Sequence, residues 1–108
     1  MCLFCQIANK EVPADIIFEN DKVVAFKDIN PKAAVHILIA PKQHIASIKD
    51  LTEENVILAS NLLLSAKEIA QEHNLAGYKL VFNVGRQAGQ TIDHLHLHLL
   101  SGNDIKLP

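Results

Sequence analysis

The segment His94-Leu95-His96-Leu97-His98-Leu99-Leu100 alternates with a period of two, which fits a β-strand and no helical repeat. A strand with this pattern sends the imidazoles of His94, His96 and His98 to one face and Leu95, Leu97 and Leu99 to the other, where they must meet a core. Same-face neighbours on a strand stand ~7 Å apart, and imidazolium cations at that spacing repel one another. The row is therefore expected to be mostly neutral near pH 7, with ring nitrogens available as nucleophiles, bases or metal ligands. A strand face that only meets water is more often built from Val, Thr and Lys. A zinc hydrolase is the rival reading, because His-x-His on a strand supplies two ligands and leaves an open coordination position.

The rest of the chain gives that strand its neighbours. Leu3 to Asn9 reads as a short helical turn, and Ile16–Glu19 and Lys22–Lys27 as two strands around an Asn20-Asp21 turn. Asp28-Ile29-Asn30-Pro31 is turn chemistry, since Asp and Asn bond nearby backbone and Pro31 pushes Asn30 out of helical space. Ala34 to Ala40, apolar except for His36 and stopped by Pro41, predicts a central strand buried on both faces. Thr52-Glu53-Glu54 predicts the capped, acidic start of one long helix running to about His73. His73 itself reads as a solvated residue at the favourable end of the helix dipole. The helix's Val56, Ile57, Leu58, Leu62, Leu63, Leu64 and Ile69 cover more than the single stripe a monomer needs, which points to a subunit interface. Tyr78 to Val84 and Asp93 to Leu100 complete the strands on either side of a Gly-bounded loop. Strands adjacent in sequence predict an α+β fold with an antiparallel sheet of about five strands, one long helix and a short N-terminal helix.

Composition bounds the function class. The chain has 108 residues, 49% of them hydrophobic and 20% charged, which predicts a single domain over 1–108 and argues against a disordered tail. A net charge of -2 gives no electrostatic drive toward nucleic acid or anionic membrane. The apolar runs fall far below the ~20 residues a membrane span needs. Met1 to Cys5 lacks the basic start and apolar stretch of an export signal, so a cytoplasmic address and reduced thiols are expected.

On the alternating run the chain resembles the histidine triad (HIT) family of nucleotide hydrolases and transferases. The resemblance extends through Cys2-x-x-Cys5, Pro13-Ala14, Ile17-Phe18-Glu19, Ala25-Phe26-x-Asp28-Ile29, His36, Pro41-Lys42-x-His44-Ile45, Gly77-Tyr78, Asn83 and Gly89-Gln90-Thr91, all in family order. It is most similar to the Hint-type purine nucleoside phosphoramidase branch. The resemblance implies a HIT-like fold and hydrolysis of purine nucleoside 5'-phosphoramidates, such as AMP-lysine conjugates, to the nucleoside monophosphate. The alternatives are a dinucleoside polyphosphate hydrolase of the same family and a nucleotide-binding regulatory or scaffold protein.

By the same resemblance His96 is the nucleophile that forms a nucleotidyl-imidazole, His98 donates to the phosphate side and His36 supports them. No metal is required for that step. An acceptor on the second nitrogen of His96 would fix its tautomer and stabilise the emerging cation. Asp28 and Ile29 would meet the ribose and base, although Asp28 taken alone reads as a turn cap. Asn83, Gly89, Gln90 and Thr91 would hold phosphate and leaving group beside His96 and His98, with glycine allowing close backbone approach. Asp93 departs from the pattern, because many relatives carry an aromatic residue there. Arg86, a loop arginine, reads as solvated. AMP or GMP, or the corresponding phosphoramidate, is the expected partner, together with a second copy of the chain.

Cys2-x-x-Cys5 by itself is half of a tetrahedral zinc site, a pair of buried thiols or a redox pair. A thioredoxin-like pair needs a preceding strand, and none precedes Cys2. Family members carrying the pair hold structural zinc with both thiolates, the His of Pro-Lys-x-His and the first triad histidine. Those residues here are Cys2, Cys5, His44 and His94.

Overall fold

The computed structural model describes residues 2–103 and 105. A first helix, α1 (Leu3–Ala8), precedes strands β1 (Ile16–Glu19), β2 (Val23–Lys27) and β3 (Val35–Pro41). The long helix α2 (Ile57–Glu72) follows, and then β4 (Lys79–Val81) and β5 (Leu97–Ser101). The five strands form one antiparallel sheet in the order β1-β2-β3-β5-β4. The architecture is the expected α+β arrangement.

Strand alternation sorts the core into two layers. Val23, Ala25, Ile37, Ile39, Leu97 and Leu99 face α2, which returns Leu58, Leu62, Ala66 and Ile69. Val24, Phe26, Leu38 and Ala40 face the other way and meet Phe4 and Ile7 of α1. Each fully buried Leu or Ile stabilises the fold by ~1.5–3 kcal/mol. β3 lies at the centre of the sheet and is buried on both faces, as its unbroken apolar run predicts. His98 stands opposite Leu38, on the α1 side.

Several boundaries differ from the sequence expectation: β4 stops at Val81, short of the expected Val84, β3 is displaced by one residue, and three further shifts have a visible local cause. The β1–β2 turn takes three residues, because the Asn20 side chain accepts from both Lys22 N–H and Val23 N–H at 2.8 Å and delays β2 to Val23. Regular helix begins at Ile57 rather than Thr52. Asn55 Oδ1 takes the Thr52 N–H at 2.6 Å and Asn55 N–H returns to the Thr52 carbonyl, so Glu53 and Glu54 sit on a turn ahead of α2. β5 begins at Leu97 rather than Asp93, since Pro41, at the end of β3, has no N–H to extend the ladder.

α2 ends where expected, with His73 at its C-cap and Asn74 in the left-handed region at φ 55°. Its outer face leaves Ile57, Leu63 and Leu64 exposed. Among the described residues no helix is long and apolar enough to cross a membrane.

Candidate active site

The end of the ladder at Pro41 builds the site. Beyond it the Leu95 N–H turns to the Ile45 carbonyl at 2.7 Å, and His94 Nε2 donates to the Pro41 carbonyl at 2.8 Å. His94 and His96 therefore stand on an extended lead-in to β5, and His98 within it. Leu95, Leu97 and Leu99 still pack into the α2 layer, so the alternation holds across the boundary.

Hydrogen-bond partners assign a tautomer to each ring. His96 Nδ1 lies 2.7 Å from the His94 carbonyl, which can only accept; the proton is on Nδ1 and the lone pair on Nε2. The Lys32 N–H donates to His36 Nδ1 at 3.0 Å, which puts the His36 proton on Nε2. That N–H points at His98 Nδ1, 2.9 Å away, with Asp28 Oδ2 at 3.4 Å. His98 then carries its proton on Nε2. The result is one free lone pair, on His96 Nε2, beside one free N–H, on His98 Nε2.

All of these rings are held neutral at pH 7. Burial lowers the pKa of His36, and the Asp28 carboxylate partly opposes it. Burial also lowers that of His96, against the pull of the bond to the His94 carbonyl. For His98, burial and then its neighbours His96 and His36 bring the pKa down to about 4. Neutral rings are what the sequence leads one to expect, but burial is the first cause throughout, and among these three only His98 is also lowered by neighbouring imidazoles.

His96 and His98 open onto a cleft of about 570 Å³. Its lining combines apolar Leu3, Phe4, Ile7, Phe26 and Leu38 with Asp28, Thr91 and the two imidazoles. Asp28 caps the turn, Oδ1 accepting from Asn30 N–H at 2.8 Å, and its Oδ2 lies 3.4 Å from His36 Nε2. Ile29 is 91% exposed on the rim of the cleft.

The loop residues divide. Thr91 lines the cleft, whereas Asn83, Gly89 and Gln90 do not. Asn83 Nδ2 donates to the Ala88 carbonyl at 2.9 Å, and Gly89 takes the left-handed conformation at φ 93° that closes the loop. Gln90, expected beside the phosphate, is buried instead. Its Oε1 accepts from Gly85 N–H at 3.0 Å and its Nε2 donates to the carbonyls of Ala46 and Ile92. With both Nε2 protons and one Oε1 lone pair engaged, the carboxamide braces the loop and has no donor left for a phosphate. Arg86, read as solvated, pairs with Asp93 at 2.8 Å and reaches the Thr91 carbonyl at 3.4 Å. Sequence reasoning missed α1 as a cleft wall; the signal available was Leu3-Phe4 bracketed by the two cysteines.

Beside the cleft lies a second cluster. Cys2 Sγ is 3.3 Å from His94 Nδ1, and Cys5 Sγ is 3.4 Å from His44 Nδ1 and 3.6 Å from His94 Nδ1. The two Nδ1 atoms are 3.1 Å apart. Zinc–sulfur bonds of ~2.3 Å and zinc–nitrogen bonds of ~2.0–2.1 Å at tetrahedral angles give edges of about 3.6 Å for S···N and 3.3 Å for N···N. The donor set fits. His94 also donates through Nε2 to a carbonyl, the outer-shell bond that ligating histidines usually make and one that leaves Nδ1 unprotonated. Cys2, Cys5, His44 and His94 could bind a metal such as zinc.

Comparison with known proteins agrees with this geometry. A family model described as scavenger mRNA decapping enzyme C-term binding matches residues 1–106. An uncharacterized HIT-like protein of Synechococcus elongatus is 46% identical over 107 residues, covering 98% of this chain and 94% of the relative. The crystal structure of a HIT family hydrolase from Legionella pneumophila superposes with a TM-score of 0.95 at 47% identity, over 100% of this chain and 98% of that one. A histidine triad nucleotide-binding protein from Candida albicans gives a TM-score of 0.80 at 32% identity, over 100% of this chain and 83% of that one. With the fold, the alternating histidines and these matches in agreement, the chain belongs to the histidine triad (HIT) family.

Proposed function

We propose that the protein hydrolyses purine nucleoside 5'-phosphoramidates to the nucleoside monophosphate and an amine, through a nucleotidyl-His96 intermediate. The observation that carries this reading is the pair of complementary atoms at the cleft: an unprotonated His96 Nε2 beside a protonated His98 Nε2. His96 Nε2 attacks the α-phosphorus and the P–N bond breaks. The ring then bears positive charge, which its Nδ1–H shares with the His94 carbonyl. His98 donates to the phosphate oxygens, and the departing nitrogen takes a proton from solvent and leaves as the amine. Water attacks the same phosphorus in a second step, gives up a proton to solvent, releases the monophosphate and restores His96.

The apolar wall of Leu3, Phe4, Ile7 and Phe26 suits a flat base, and Asp28 stands where a carboxylate can accept from ribose hydroxyls. His36 acts through His98, holding its tautomer. Zinc is the metal best suited to Cys2, Cys5, His44 and His94. A closed centre of that kind supplies folding energy and no open position, so the reaction proceeds on the protein's own imidazoles. The exposed Ile57, Leu63 and Leu64 of α2 support a homodimer, which sedimentation of the purified chain would detect.

The deciding experiment is AMP release from adenosine 5'-phosphoramidate by the wild type and by His96→Ala, with a diadenosine polyphosphate as competitor. Release that vanishes in the variant is the expected result. Cleavage of the dinucleotide alone would move the substrate to the other hydrolase class, and no cleavage of either would leave a nucleotide-binding scaffold.

A further inference from the structure

α1 has six residues, no side-chain cap at its N-terminus and only Phe4 and Ile7 buried. Isolated helices shorter than ~12 residues are marginal in water, so the sheet and the flanking residues must hold this one. The flanking residues are Cys2, at the N-cap, and Cys5, in the middle of the helix. Both thiols point at His94. Phe4 lies between them in sequence, and its ring meets three others edge-on: His96 at 5.0 Å and 89°, Phe26 at 5.2 Å and 70°, and His94 at 5.9 Å and 68°.

His96 is buried; one ring nitrogen is bonded to the His94 carbonyl, and besides Phe4 the His98 ring approaches it at 5.0 Å between centroids. A ring held at one nitrogen can still swing about that bond, and a displacement of the attacking atom by ~1 Å can cost about 100-fold in rate. The edge-on Phe4 ring closes that freedom. We propose that Phe4 is the positioning residue of His96, and that the metal cluster of Cys2, Cys5, His44 and His94 decides whether Phe4 is seated.

The proposal rests on His96 being the nucleophile. It makes metal occupancy a control on catalysis with no metal in the chemical step: release of the two thiolates frees α1, which removes Leu3, Phe4 and Ile7 from the cleft wall and leaves the His96 ring free to turn. The sheet and α2 contain neither cysteine, so they are expected to stay folded when the thiolates are released.

The test compares zinc-loaded wild type, zinc-loaded Phe4→Leu and chelated wild type, reading steady-state kinetics, AMP affinity and the imidazole nitrogen–proton correlations of His96. In Phe4→Leu, which keeps an apolar wall, kcat is expected to fall about 10-fold with KM within about twofold, and the His96 signals to shift. Chelation is expected to move the same signals and weaken AMP binding about 10-fold, with zinc restoring both in the wild type and not in the Cys2→Ser/Cys5→Ser double variant. Phe4→Met serves in the same role if Phe4→Leu does not fold. Wild-type kcat and unmoved His96 signals in the Phe4 variant would make Phe4 a core residue only and overturn the proposal. Unchanged AMP affinity and His96 signals after chelation would overturn the metal's part in it. The spectra and the AMP titration need no turnover, so an inactive wild type would count against the proposed reaction and leave these readouts to decide the inference.

Discussion

Two side-chain clusters lie on either side of His96, one containing His94 and the other His98, and both have the spacing of metal ligands. Cys2, Cys5, His44 and His94 bring their ligating atoms within 4.8 Å of one another, and so do Asp28, His36 and His98. They differ in where the backbone places protons. In the first, the Pro41 carbonyl takes the Nε2–H of His94 and leaves Nδ1 as a bare lone pair aimed at the thiols and at His44. In the second, the Lys32 N–H occupies the Nδ1 lone pair of His36, so the nitrogen facing Asp28 and His98 carries a proton. In one, the bare Nδ1 of His94 converges with His44 and the two cysteine sulfurs; the other is a donor–acceptor chain. Ligand spacing identifies a candidate metal site, and the partner of the remote ring nitrogen decides it.

The largest effect that would sharpen this contrast is at the end of the chain. His96→Ala is expected to lower kcat by about 10⁴-fold or more, with AMP affinity changed only a few-fold, because it removes the one bare nitrogen facing the cleft. Direct titration with AMP beside single-turnover kinetics checks both parts.

Metal removal is next. One zinc per chain is expected by metal analysis, bound with thiolate-to-metal charge transfer when cobalt replaces it. Chelation should lower the melting temperature by about 10 °C, as expected for loss of a tightly bound ligand from a domain of this size. Asp28→Asn and His36→Asn should keep that stoichiometry. A second equivalent that disappears in either variant would break the comparison.

In the proton chain, His36→Asn should cost about 10- to 100-fold in kcat/KM, since it frees the tautomer of His98 while leaving the nucleophile. A loss confined to stability would show that the chain only packs.

A smaller effect is one of pH. The folded pKa of His98, about 4, lies below its usual value, and that of His36 is also lowered. The unfolded chain therefore binds more protons as pH falls through the ordinary histidine range. Stability from these groups is complete above about pH 6.5 and is lost toward pH 4. Urea denaturation at several pH values should show that slope, and His98→Asn should flatten it. The smallest effect belongs to the Arg86–Asp93 pair, whose side chains are both more than half exposed; Arg86→Ala should change stability by less than ~1 kcal/mol.

Much of the fold was legible because burial imposes periods on a sequence. The alternation at His94–Leu100 and the apolar run ending at Pro41 located the two central strands, and the leucine-rich stretch before His73 located α2. What was not legible depended on single hydrogen bonds between distant residues. Nothing in the pattern says that Asn55 will take the Thr52 N–H, or that Gln90 will turn inward to the Ala46 carbonyl. The proton chain was hidden for the same reason, since its first donor is the backbone N–H of Lys32, which no side-chain motif reveals. α1 was visible as a short turn, but its role as a cleft wall depends on Phe4 reaching across to β2 and to His96.

The central claim is that His96 Nε2 attacks phosphorus. Intact-protein mass spectrometry tests it most directly, on enzyme mixed with excess adenosine 5'-phosphoramidate and quenched in base within milliseconds, because phosphorus–nitrogen bonds are lost in acid. A mass increase of one adenylyl group, mapped to His96 and absent from His96→Ala, is the expected result. Rapid AMP formation with no adduct, or an adduct on another residue, would contradict it.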